Sequence, residues 1–239
     1  GSELLAFGRL LLLVGWGPAE DHADGRVFGF ELDVRKWIER APAPVKHARP
    51  ALAVAHGQLH VVGGRSRGIR PRVHGTHHVY EPGADRWHEA LELPTPRAGA
   101  AAATLGDRVH VVGGHAGVRR GTAQEAHVAH ESFDLEKGRW QTEPPLPEAR
   151  PVVESTEHRG RHVVVLGDAT AHAHRGSDAK GRGGHETTDV LEYDPATRTW
   201  RRHPGLPASL KKPIVVSHNG RLLAFGTRAD GGVEIHERT

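Results

Sequence analysis

Four tryptophans constrain this chain more than anything else in it. Trp37, Trp87, Trp140 and Trp200 lie 50, 53 and 60 residues apart, and the same string of signals leads up to each. The clearest copy occupies residues 52–97. Residues 52–55 form a short apolar run, and Leu59-His60-Val61-Val62 form a second that ends in Gly63-Gly64. A polar loop then leads to His78-Val79-Tyr80, the turn Glu81-Pro82-Gly83-Ala84-Asp85, the pair Arg86-Trp87, and finally Leu93-Pro94 and Arg97. Four short β-forming runs divided by Gly, Pro and Asp predict a four-stranded antiparallel meander.

The string recurs. Val109-His110-Val111-Val112 precedes Gly113-Gly114 and is followed by Ser132-Phe133-Asp134, Trp140, Leu146-Pro147 and Arg150. Residues 160–168 (GRHVVVLGD) lead to Tyr193, Trp200 and Leu206-Pro207. A more divergent copy at residues 10–49 carries Trp37, with Trp16 outside the series. A last copy, from Asn219 to Ile235, contains no tryptophan. Fixed-period self-similarity of this kind defines stacked β-sheet repeats, because one sheet cannot bury both of its faces. A double glycine, an aromatic and a tryptophan at a period near 50 resemble the kelch repeat across the whole chain. The resemblance implies an all-β fold, a kelch-type β-propeller of about five four-stranded antiparallel blades with the last incomplete. The expected blades are residues 3–49, 50–97, 98–150, 151–209 and 210–239 of one domain. Kelch propellers usually close with six or seven blades, so a small five-bladed ring and a piece of a larger propeller are both open. The glycines are expected to permit tight turns and the tryptophans to anchor neighbouring blades.

Composition narrows the chemistry. The net charge is only +3, from 32 basic and 29 acidic residues, so the basic pI does not imply a concentrated positive field. Arg65, Arg67, Arg70 and Arg72 cluster in one loop without interleaved stacking aromatics, and no nucleic-acid partner is expected. The apolar stretch at residues 4–14 is interrupted by Arg9 and too short to span a bilayer, so it reads as two strands turning at Gly8-Arg9, and no membrane partner is expected. With no methionine present, Gly1-Ser2 reads as a processing scar. The compartment is not assigned beyond a soluble protein.

Catalytic signatures are missing. There is no GxSxG, no phosphate-binding GxxxxGK[ST] and no HExxH, and no cofactor is expected. Without cysteine, thiol catalysis and the cysteine–tyrosine cross-link of copper radical oxidases on this scaffold are excluded. Three histidines in the long loop after residue 167, His172, His174 and His185, are weak metal candidates at no recognised ligand spacing. His60 and His110 share one repeat position and are expected to be half-buried strand residues.

On a propeller the loops carry function, because the blades are committed to packing. In proteins resembling this one, partners bind through arginines after the double glycine and before the inner strand. The matching positions are Arg65 and His115 after the glycines, and Arg49, Arg97 and Arg150 before the inner strands. Guanidinium groups there would suit an acidic protein segment or peptide, or an anionic sugar, through charge-assisted hydrogen bonds. The expected function is a scaffold that binds a protein or peptide partner without chemistry of its own. The alternatives are a sugar mutarotase- or isomerase-like enzyme on the same face, and an engineered propeller with no natural ligand.

Overall fold

The structure is a computed structural model that describes residues 2–7, 10–16, 24–44, 47–66, 71–117, 126–167, 188–206, 211–227 and 232–238. No helix occurs among them; they form 19 strands in five antiparallel sheets. The chain divides into two compact units, Gly1–Ala98 and Gly99–Thr239.

The first unit holds two four-stranded sheets. Blade 1 comprises β1 (Ser2–Phe7), β2 (Leu10–Trp16), β3 (Asp24–Glu31) and β4 (Lys36–Arg40). Blade 2 comprises β5 (Ala51–Ala55), β6 (Gln58–Val62), β7 (His77–Glu81) and β8 (Arg86–Ala90). The second unit holds three sheets. Blade 3 is β9 (Ala101–Leu105), β10 (Arg108–Val112), β11 (His130–Asp134) and β12 (Arg139–Thr142). Blade 4 is β13 (Val152–His158), β14 (Arg161–Leu166), β15 (Thr188–Asp194) and β16 (Thr199–Leu206). Blade 5 has only β17 (Lys211–His218), β18 (Arg221–Thr227) and β19 (Val233–Arg238). Pro204, expected in a link, lies inside β16.

Local chemistry explains the hairpins. His56-Gly57, Arg159-Gly160 and Asn219-Gly220 each place two consecutive residues at positive φ, the turn whose twist matches that of the strands it joins. Side-chain alternation then commits both faces of an interior strand. In β14, Val164 and Leu166 join a core with Val112 and Leu146 of blade 3, while Val163 and Val165 join one with Val215 and Ala224 of blade 5. Within the first unit, Leu12 and Val27 of blade 1 pack with Leu59, Val61 and Tyr80 of blade 2.

The tryptophan is the fastener between blades. Trp87 Nε1 donates to the carbonyl of Ala41 at 2.9 Å, and Trp200 Nε1 donates to that of Pro144 at 2.9 Å. In both cases the acceptor stands four residues beyond the tryptophan of the preceding blade. Beside it sits the third-strand aromatic, Tyr80 against Trp87 with ring centres 4.9 Å apart and Tyr193 against Trp200 at 5.2 Å. Trp37 differs: half of its surface is exposed, although Phe30 packs against it at a tilt within its own sheet, ring centres 5.2 Å apart.

His60 and His110 correct the half-buried expectation, since only 2% and 1% of their surfaces are exposed. Each is paired with a histidine that the repeat pattern did not single out as its partner. His110 Nδ1 meets His130 Nε2 at 2.9 Å, and His60 Nδ1 meets His77 Nε2 at the same distance. His130 Nδ1 lies 3.0 Å from the Pro144 carbonyl, so it carries the proton and donates; its Nε2 therefore accepts from His110. The Pro144 oxygen thus takes two donors, an imidazole and an indole. Burial drives these imidazoles to the neutral form, lowering His60 and His110 to about 4 and His77 to about 3.

Candidate functional site

In the first unit the double glycine gathers three of the expected arginines. Gly63 and Gly64 have φ of 70° and 103°, and a Cβ on Gly63 would lie 2.5 Å from the Arg97 carbonyl. Only glycine lets the chain pass this close. Gly64 N donates to that same Arg97 carbonyl at 2.9 Å. One residue on, Arg65 exchanges backbone hydrogen bonds with Ala48 at 2.9 and 2.8 Å, which sets it beside Arg49 in the neighbouring link. Arg65 also bridges to Val73, and Ser66 closes the loop base by bonding the Arg72 backbone.

The side chains in this patch divide. Arg97 is 1% exposed and its Nη1 donates to the Thr95 carbonyl at 2.9 Å, so it ties down the link. Arg49 is exposed, with φ of 58°, as is Arg72. Arg65 is half-buried, and its Nε is shielded from solvent without a hydrogen-bond partner. Two histidines absent from the sequence reading join the patch. His47 and His74 stack with ring centres 3.9 Å apart and planes at 15°, and His47 Nδ1 lies 3.2 Å from Thr76 Oγ1. Burial, with the neighbouring His74, pushes His47 down to about 4. His74 Nε2, like Arg65 Nε, is buried without a hydrogen-bond partner. Their positions, one before the inner strand and one after the loop, carried no separate signal in the sequence.

The two expected residues in the second unit are structural in their contacts. His115 is buried, bridges to Ala126, and its Nδ1 lies 3.2 Å from the Gly117 carbonyl. Arg150 donates through Nε to Gly167 O at 2.8 Å and through Nη1 to Asp189. His172, His174 and His185 lie outside the described residues. Among the described residues no group of three or more His, Asp or Glu is arranged to hold a metal.

The patch can therefore do one thing directly: present guanidinium donors, beside the stacked His47 and His74 rings, to an anion. The fold class is an all-β β-propeller. The solved structure titled "Structure of YjhT" is similar in fold, with a TM-score of 0.74 at 15% identity over 100% of this chain and 83% of that one. No protein-family profile matches the chain, and no curated protein does.

Proposed function

We propose that the chain is a kelch-type propeller domain that binds an acidic segment of a protein or peptide partner through the patch around Gly63-Gly64. The observation that carries this reading is Arg65. Its backbone is pinned on both sides, while its buried Nε has no hydrogen-bond partner. A desolvated donor without an acceptor costs stability, and a carboxylate from outside would supply one. Arg49 and Arg72 add exposed positive charge at the same place, whereas Arg97 holds the link that shapes it.

A second reading, a sugar-acid mutarotase or isomerase, is favoured by one observation. His74 offers a buried ring nitrogen without a hydrogen-bond partner next to those arginines, and such chemistry requires a proton-transfer group beside a carboxylate clamp. Titration calorimetry with a Glu-rich decapeptide and with sialic and glucuronic acids separates the two. The scaffold reading expects saturable peptide binding weakened at least tenfold by Arg65→Ala. Binding of a sugar acid, with anomer exchange accelerated in NMR and lost in His74→Ala, establishes the enzyme instead. Neither ligand binding overturns both readings.

A further inference from the structure

Strand β14 turns its side chains alternately toward blades 3 and 5, and on the side of blade 5 the packing leaves room. Val163 and Val165 of β14 and Val190 of β15 face Val215 of β17 and Ala224 of β18. Beside them lies a cavity of about 220 Å³ that Leu206 and Leu222 also line. It adjoins a larger one of about 390 Å³, and Val163, Val190 and Leu222 line both. The shared wall is therefore aliphatic, built from the second and third strands of blade 4 and the second strand of blade 5.

The charged groups around this space are matched within the protein. Beside the larger cavity, Arg161 Nη1 donates to Glu192 at 2.7 Å and its Nη2 lies 3.1 Å from Asp194. Arg159 Nη2 donates to the Gly220 carbonyl at 2.6 Å. His158 Nδ1 lies 3.0 Å from Ser217 Oγ, and His203 Nε2 lies 3.4 Å from Glu192. Beside the smaller cavity, His236 Nε2 lies 2.7 Å from Glu234, and Glu237 lies 3.2 Å from Arg221 Nε.

Arg159 and Arg161 thus stand against Glu192 and Asp194, a balance that favours neither an anion nor a cation. An ion entering here would have to displace one of these partners and shed its own hydration, which is costly over an aliphatic floor. A neutral molecule leaves every pair in place.

We infer that this cavity binds a small, neutral, apolar molecule between blades 4 and 5, held by the aliphatic wall and by no ion pair. Lining side chains with no atoms opposite them forfeit dispersion contacts, and a hydrocarbon restores these contacts. Ordered water is a poor occupant of a wall of valine and leucine, because it needs two to four polar partners. An apolar cavity of about 150 Å³ is enough for a benzene ring, so a molecule of about six to ten carbons fits here. This site lies in the second unit and stands independently of the arginine patch around Gly63-Gly64.

Toluene, uncharged and without hydrogen-bonding groups, is the probe, titrated into the whole chain and followed by methyl NMR. Benzoate and benzylammonium are the charged controls of similar size. The expected result is saturable binding of toluene, about tenfold or more tighter than either ion, with ring-to-methyl cross-peaks at Val163, Val190 and Leu222. Val190→Phe and Leu222→Phe, which place a ring in the cavity, should each weaken binding about tenfold or more while the melting temperature holds or rises. Three results would each overturn the inference: no saturable binding up to the solubility of toluene, equal or tighter binding of one of the ions, or undiminished affinity in a folded, filled variant. If neither variant folds, the cross-peaks decide: contacts confined to other methyl groups place toluene elsewhere and refute the site.

Discussion

Blade 4 is packed against two neighbours in two different ways. Toward blade 3 it offers Tyr193 and Trp200, and a buried polar network receives them. Glu143 takes hydrogen bonds from Tyr193 at 2.9 Å and Ser132 at 2.7 Å, with Arg198 3.1 Å away. Toward blade 5 it offers Val163, Val165 and Val190, which meet Val215 and Ala224 with no aromatic between them. One face is held by rings and a buried hydrogen-bond network; the other is held by small aliphatic side chains beside cavities, with His158–Ser217 and Arg159–Gly220 hydrogen bonds near the hairpin turns. A repeat sheet is thus not equally fastened on its two sides, and the looser side is the one that leaves cavities.

The largest test of this difference removes an aromatic fastener. Trp200→Ala deletes a large packed ring and its bond to Pro144, and should cost about 3–5 kcal/mol in urea unfolding. Trp37→Ala, at the same repeat position but half exposed, should cost less than about 1 kcal/mol. Equal losses would show that the repeat position, not the contact made there, sets the energy.

Acid should weaken the tight face selectively. His110 is lowered to about 4 by burial, and His162, fully buried with neither nitrogen hydrogen-bonded, is lowered to about 3 by burial and by His110. The unfolded chain binds protons at these sites from about pH 6.5 down, while the folded chain does not until pH 4 or 3. Stability contributed by the neutral rings is therefore complete above pH 6.5 and falls as pH drops toward 4. The slope is at most about 1.4 kcal/mol per pH unit for each ring. His162→Leu, matching Leu59 and placed near Val109's register, should flatten the slope measured by urea midpoints between pH 7 and 4. An unchanged slope would place the acid sensitivity elsewhere.

The smallest effect compares two valines on opposite faces of blade 4. Val164→Phe enlarges a side chain in the filled contact and should cost about 1–3 kcal/mol by overpacking. Val190→Phe grows into the cavity and should change stability by less than about 1 kcal/mol, in either direction. A matching loss from both would mean that the two faces are equally tight.

Much of the fold was legible because it depends on local chemistry repeated at a fixed period. Apolar runs ending at Gly63 and Gly113 are strands, and Trp87 and Trp200 each reach back to the preceding blade. The candidate site was legible only in part. Arg49, Arg65 and Arg97 share a sequence signal, yet Arg97 is buried on Thr95 while Arg65 Nε has no hydrogen-bond partner. That outcome depends on which carbonyl lies within reach after the links have packed. The His110–His130 pair was hidden because its members face each other diagonally across adjacent strands, 20 residues apart.

By itself the sequence determined the repeat, the strand order within each blade and the positions of the fasteners, because periodicity, turn residues and large rings act over a few neighbouring residues. Only the tertiary structure decided which cations have their hydrogen bonds met, which imidazoles are kept neutral and where cavities remain between blades 4 and 5. Those depend on free volume and hydrogen-bond partners supplied by chain some 50 residues away.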